Sequence, residues 1–114
     1  MNTLAFDWIA HHAGARSADL AMIDLTTDRR ISYGAMHERV GRLAHALRTQ
    51  CGVVRGDRVA VLAHNSTDIF EIQFACVRLG AVSVPLNWRL TVPELTFILN
   101  DCEPAVLFYD PEFA

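Results

Sequence analysis

Apolar positions along the chain change period several times, and each change marks an element. Leu4, Trp8 and Ile9 recur at i, i+4 and i+5, which predicts a short amphipathic helix over residues 3–14. Leu20–Leu25 and Arg30–Tyr33 are short apolar runs on either side of Thr26-Thr27-Asp28-Arg29, the pattern of a β-hairpin. Ser32 is a good helix cap. After it, Met36, Val40, Leu43, Ala44 and Leu47 fall on one stripe, with Glu38, Arg39, Arg42 and Arg48 outside it. Cys51-Gly52 ends that helix, because glycine accepts the left-handed geometry of a helix C-terminus.

Beyond residue 57 the rhythm becomes strand, helix, strand, helix, strand. Arg58–Ala63 is a nearly continuous apolar run, as a strand covered on both faces would be. Asn65, Ser66, Thr67 and Asp68 can each cap the next helix. In that helix Ile69, Phe70, Ile72, Phe74, Ala75, Val77 and Leu79 cover most of the circumference, which predicts a largely buried helix. Gly80 stops it, and Ala81–Pro85 is the following strand, with Pro85 expected at its end. Thr91-Val92-Pro93-Glu94 is a capping box, and Leu95, Ile98, Leu99 and Cys102 form the inward face behind it. Pro104 precedes the strand Ala105–Tyr109. Such alternation implies a parallel sheet. The expected fold is α/β: an N-terminal helix and β-hairpin, then a β-α-β-α-β parallel-sheet segment. Asp110-Pro111-Glu112 reads as the start of a further helix, and the chain stops at Ala114 before one can form. The expectation is therefore an incomplete domain.

Composition narrows the class. The 114 residues suffice for one domain; 52% are hydrophobic and 20% charged, which favours a folded core over disorder. The net charge of -3 argues against a dedicated nucleic-acid binder, which needs a clustered basic surface. Arg29-Arg30 is the only adjacent basic pair, and a turn accounts for it. No stretch is long and apolar enough to span a bilayer. Asp7, His11 and His12 interrupt the first apolar run, so Ala13-Gly14-Ala15 is not read as a signal-peptidase site. Cys51, Cys76 and Cys102 are odd in number and widely spaced, which points to buried thiols in a reduced, cytoplasmic protein.

Few residues offer chemistry. The five histidines do not carry metal spacing: His11-His12 point apart, His37 and His45 are two turns apart, and Gly41 stands where His37-Glu38 would need a second histidine. No glycine-rich phosphate loop is present. Arg55-Gly56-Asp57 is read as a turn before a strand. One constellation remains. Ligands of open α/β sheets sit outside the carboxyl ends of the strands, and those ends are His64-Asn65-Ser66, Asn87-Trp88-Arg89 and Asp110. A Trp-Arg pair there can stack on a base and pair a phosphate. Equally, Asn65 and Ser66 can serve only as helix caps while Trp88 and Arg89 cover the sheet edge.

Several segments together resemble the adenylate-forming, AMP-binding enzymes. Ile31-Ser32-Tyr33-Gly34-Ala35-Met36 resembles their first core motif, with Ala35 for the usual Glu and Met36 for the usual Leu. Arg39–Leu47 and Gly52–Val61 are similar to the helix and strand that follow it, and Arg78–Asn87 to the second core motif. Asn87-Trp88-Arg89-Leu90-Thr91 with Glu94-Leu95 resembles the fatty-acyl and aryl-acyl CoA ligase branch; nonribosomal-peptide adenylation domains usually carry Asp at the position of Asn87. The resemblance implies that residues 1–114 are a partial N-terminal AMP-binding domain. It implies an acid–thiol ligase that joins a carboxylic acid to CoA through an acyl-adenylate, using ATP and Mg²⁺. The residues that perform this chemistry in the family lie beyond the matching segments, so none is assigned here. In some relatives the loop corresponding to Asn87, Trp88 and Arg89 lies near the nucleotide end of CoA. Alone, the chain is expected to be inactive, to bind ATP, Mg²⁺ and CoA weakly at most, and to self-associate. The competing reading is a free-standing, non-catalytic α/β interaction module.

Overall fold

The structure is a computed structural model and describes residues 6–114. Leu4 lies outside them. Helix α1 runs over Trp8–Arg16, later than expected, because Asp7 caps it: its carboxylate accepts a hydrogen bond from the Ala10 amide at 3.0 Å. Only Ile9 of this helix is buried, and Trp8 is half exposed beside His12.

Strands β1 (Leu20–Asp24) and β2 (Arg29–Ser32) form the predicted antiparallel hairpin. The Asp24 carboxylate accepts from the Thr26 and Thr27 amides, and the bond from Thr27 leads in holding its pKa below the usual value. Tyr33 opens helix α2 (Tyr33–Thr49) instead of closing the strand, because the Ser32 hydroxyl accepts from the Ala35 amide. Met36, Val40, Ala44 and Leu47 are buried, as their stripe predicts. Gly52, at φ 67°, lets the Val53 amide reach back to the Leu47 carbonyl at 3.0 Å and close the helix.

The remaining elements are β3 (Arg58–Leu62), α3 (Thr67–Leu79), β4 (Val82–Leu86), α4 (Val92–Cys102) and β5 (Val106–Tyr109). The three strands form a parallel sheet in the order β4-β3-β5. Successive residues of the central strand point to opposite faces. Val59 and Val61 join the core beneath α2 and α3, while Ala60 and Leu62 join Leu86 beneath α4. Pro85 stands one residue before the end of β4, on an edge strand where its missing N–H leaves no gap in the ladder. Gly80 ends α3 in the left-handed conformation, φ 68°, as expected.

Four expectations need correction, the first being that of buried thiols: Cys76 is buried, but Cys51 is exposed and Cys102 only partly buried. Helix α3 is not buried all round: Thr67, Glu71, Ile72, Ala75 and Cys76 are buried, but Phe70 is half exposed. Phe70 lines a groove left open between α3 and the hairpin residues Met22, Ile23 and Leu25. The inward face of α4 is only half buried, since a single sheet face with three buried residues lies beneath it. Finally, Pro111–Phe113 does form a single 3-10 turn, and Asp110 does not cap it with its side chain.

Arginines tie the N-terminal half to α3. Arg39 grips the buried Glu71 with two bonds, 2.5 and 3.2 Å, and the bond to Glu71 keeps the guanidinium more firmly protonated than usual. Arg78 reaches Asp7 at 2.8 Å and the His37 carbonyl at 3.1 Å. Arg29 bonds Thr67 and pairs with Asp68 at 3.2 Å. Burial pushes the Cys76 thiol up to about 11, so this cysteine is an inert core residue.

Candidate functional site

Register places the candidate residues together. Leu62 of β3 pairs with Leu86 of β4 and with Tyr109 of β5, so all three strands end in one row. The residues that follow them therefore share one rim. From β3 comes His64, from β4 come Asn87, Trp88 and Arg89, and from β5 come Asp110 and the turn that carries Glu112 and Phe113.

Local bonds aim each side chain. The Asp110 amide donates to the Leu62 carbonyl at 3.0 Å, and the Asp110 carboxylate accepts from the His64 amide at 2.9 Å. Asp110 thus staples the loop after β3 to the loop after β5. The Asn87 side-chain oxygen accepts from the Arg89 amide at 3.0 Å, and the Leu90 amide bonds the Asn87 carbonyl at 3.1 Å. This tight turn folds Trp88 onto the rim. Its ring centroid lies 4.4 Å from that of His64 and 6.3 Å from that of Phe113, and His64 and Phe113 are 5.3 Å apart.

Charge is concentrated at the same place. The Arg89 guanidinium sits 4.8 Å from the Trp88 ring centroid, in cation–π geometry. Among the described residues it carries no ion pair, whereas Arg29, Arg39 and Arg78 each hold a carboxylate. Its donors are therefore available to an external anion. His64 Nε2 contacts Glu112 Oε1 at 2.7 Å, and both side chains are about half exposed. A carboxylate accepts only, so Nε2 carries the proton in this pair.

Beside this aromatic and cationic corner lies a mainly apolar groove of about 280 Å³, walled by Val61, Ala63, Ile69, Ile72, Phe108 and Tyr109 and also lined by Asp68, Glu71 and Asp110. Ser66 also borders it, but its hydroxyl caps α3 by accepting from the Asp68 amide. Asn65 is exposed beside it. The structure therefore brings together His64, Trp88, Arg89 and Asp110 from the residues singled out in the sequence. Asn87 contributes through its turn, and Ser66 through its cap. Glu112 and Phe113 were not foreseen at the rim. Their signal, Asp110-Pro111-Glu112, reads locally as a helix start.

A family model described as AMP-binding enzyme matches residues 9–113. This chain belongs to the AMP-binding enzyme family. Indoleacetate–CoA ligase of Aromatoleum aromaticum is 43% identical over 107 residues, which cover 94% of this AMP-binding chain and 20% of that protein. A fatty acyl CoA synthetase of Mycobacterium tuberculosis superposes with a TM-score of 0.85 at 36% identity, over 90% of this chain and 20% of that one. The anthranilate CoA ligase AuaEII, solved with anthranoyl-AMP, superposes with a TM-score of 0.87 at 28% identity, over 98% and 22% of the two chains. The AMP-binding chain thus spans about a fifth of the length of the curated relative it matches at 43% identity. Its fold is that of the N-terminal domain of these adenylate-forming enzymes, with the same parallel three-stranded segment. Its two motif-like segments fall at junctions: Ile31–Met36 crosses from β2 into α2, and Arg78–Asn87 runs from the end of α3 through Gly80 and β4 to the rim. A divalent cation does not fit these residues: among those described, no group of three or more histidines, cysteines and carboxylates converges. The Arg89 guanidinium, with no ion pair among the described residues, does fit an anionic group. No helix among the described residues is long and apolar enough to cross a membrane.

Proposed function

We propose that residues 1–114 are a partial AMP-binding domain at the N-terminus of an ATP-dependent acyl-CoA synthetase. The enzyme joins a fatty or aromatic carboxylic acid to CoA through an acyl-adenylate, with release of pyrophosphate and AMP. The observation that carries the reading is the Arg89 guanidinium, without an ion pair among the described residues, lying over the Trp88 ring at the carboxyl ends of three parallel strands. Asn87, Trp88 and Arg89 receive the nucleotide end of CoA: Trp88 offers a π-face to the base and Arg89 a planar donor fork to a phosphate. The fatty and aromatic acid range is supported by relatives whose names include indoleacetate, anthranilate and fatty acyl substrates.

ATP and Mg²⁺ are handled by segments of the longer relatives that this chain does not span. The chain alone therefore performs no ligation, because it carries no glycine-rich phosphate loop to stabilise charge on the transferring phosphates. Three free thiols support a reducing, cytoplasmic setting. An unpaired β5 edge supports self-association of the isolated chain.

CoA binding tests the site. The chain has two tryptophans, so a Trp8→Phe background reports Trp88 emission alone. CoA is expected to change that emission with a dissociation constant of about 1 mM or weaker, and Arg89→Ala to abolish the response. An unchanged response in the Arg89 variant would remove CoA from this loop. Pyrophosphate release above background from the chain with ATP, Mg²⁺, CoA and a panel of fatty and aryl acids would refute the assignment of the chemistry to other segments.

A further inference from the structure

Glu112 is the one rim carboxylate with no bond to the main chain among the described contacts. Asp110 is tied at both ends, by its amide to the Leu62 carbonyl and by its carboxylate to the His64 amide. Glu112 has the His64 imidazole as its partner, at 2.7 Å, and is more than half exposed. It projects from a single 3-10 turn, so its side chain can swing out without disturbing the sheet.

The contact has the form of an anion subsite already filled. A carboxylate sits on an imidazole N–H whose ring packs against Trp88, and Trp88 carries the unpaired Arg89 on its face. An incoming anion that pairs with Arg89 adds a second negative charge to this rim, and finds the His64 donor occupied. Removing that charge lowers the repulsion and weakens the hold on the donor, since a neutral amide oxygen accepts less strongly than a carboxylate.

We infer that Glu112 is an intramolecular competitor that occupies the anion subsite of the Trp88–Arg89 rim and must be displaced by a phosphate-bearing ligand. This inference rests on the proposed CoA site and assigns it a gate. Its consequence is selectivity by charge. A phosphate dianion pairs with Arg89 and displaces the tethered carboxylate from His64, whereas a simple monocarboxylate such as acetate replaces like with like at His64 and gains nothing.

The test compares the Trp8→Phe chain with Glu112→Gln and Arg89→Ala in that background, reading Trp88 emission against CoA, inorganic phosphate and acetate. Glu112→Gln is expected to bind CoA and inorganic phosphate about three- to tenfold more tightly, the range expected when an exposed charge pair and its repulsion are removed. The gain should shrink as salt is raised, since it is electrostatic; a change of loop shape would not respond to salt in this way. Far-UV circular dichroism checks the fold, and Glu112→Ala replaces the glutamine variant should that one unfold. CoA binding by the Glu112 variant equal to or weaker than the parent, with Arg89→Ala still abolishing it, overturns the gate and leaves the site standing. No CoA response in parent, Glu112 and Arg89 variants alike removes the site, and the gate with it.

Discussion

On the α2–α3 side of the sheet, Met36, Val40, Leu47, Val59 and Cys76 are 0–1% exposed; on the α4 side only Ala60, Leu62 and Leu86 are buried, and no residue of α4 is. The first side is also cross-linked by Arg39 to Glu71 and by Arg78 to Asp7. On the second, Arg58 instead donates to the neutral carbonyls of Cys102 and Glu103, at 2.6 and 3.5 Å. Both sides deliver residues to the same rim, yet stability resides mainly on one. A side chain buried against two neighbours loses more on truncation than one resting against a single sheet face, because the cavity it leaves is enclosed.

Matched truncations test this asymmetry. Leu47→Ala, on the buried side, should cost about 2–5 kcal/mol, a large share of the roughly 5–15 kcal/mol that holds an ordinary domain together. Chemical denaturation of the two proteins measures it. A loss below about 1 kcal/mol would show that this core is not where stability resides.

Gly80→Val comes next. Gly80 holds φ 68°, which β-branched residues avoid, and a Cβ there would sit 3.0 Å from Arg55 Cγ. The helix end on the strong side should lose more than about 1 kcal/mol. An unchanged melting curve would mean that the chain turns at another residue.

How much of this was legible beforehand depends on the range of the interaction. The caps Ser32, Ser66 and Thr91, the stop at Gly80 and the buried run of β3 are written into neighbouring residues, and each formed as expected. The shared rim was legible too, because parallel strands of equal length end in one row. Contacts made across the chain were not. Arg39 reads as a solvent-facing residue outside a helix stripe, yet its partner Glu71 lies 32 positions away; Arg78 and Asp7 are 71 apart. Asp110 reads as a cap for the residues after it and is instead spent on His64. The apolar circumference of α3 overstated its burial, since periodicity records which residues are apolar and not how many neighbours surround them. Phe70 shows the difference, facing an open groove beside the hairpin.

Leu99→Ala is the counterpart of the Leu47 truncation. Leu99 is only partly buried and rests on the three-residue cluster under α4. The same chemical deletion should cost about 1 kcal/mol here, since part of the side chain never leaves water. Equal losses at Leu47 and Leu99 would erase the difference between the two faces.

The smallest effect concerns the capping box of α4, and it follows from the same contrast. A helix with no buried residue depends more on its own ends. The Thr91 amide donates to Glu94 Oε1 at 3.1 Å, the Thr91 hydroxyl donates to the same oxygen at 2.8 Å, and the Glu94 amide returns a bond to the hydroxyl at 3.3 Å. The backbone bond from Thr91, and then its hydroxyl, hold the Glu94 carboxyl below its usual pKa. A carboxylate depressed in the folded state contributes stability that is fully present above the unfolded value of about 4.3 and is lost as pH falls through the lower folded value. Helix α4 should therefore fray at its N-terminus in that acidic window. Glu94→Gln keeps an acceptor but removes the charge, so its fraying should show less dependence on pH there. Amide exchange in the first turn of α4, followed from pH 6 to pH 3 in both proteins, measures the difference. The other carboxylates titrate alike in the two chains and cancel in the comparison. Coincident pH profiles would show that the box holds by geometry alone, and that α4 is secured by the sheet beneath it more than its exposure implies.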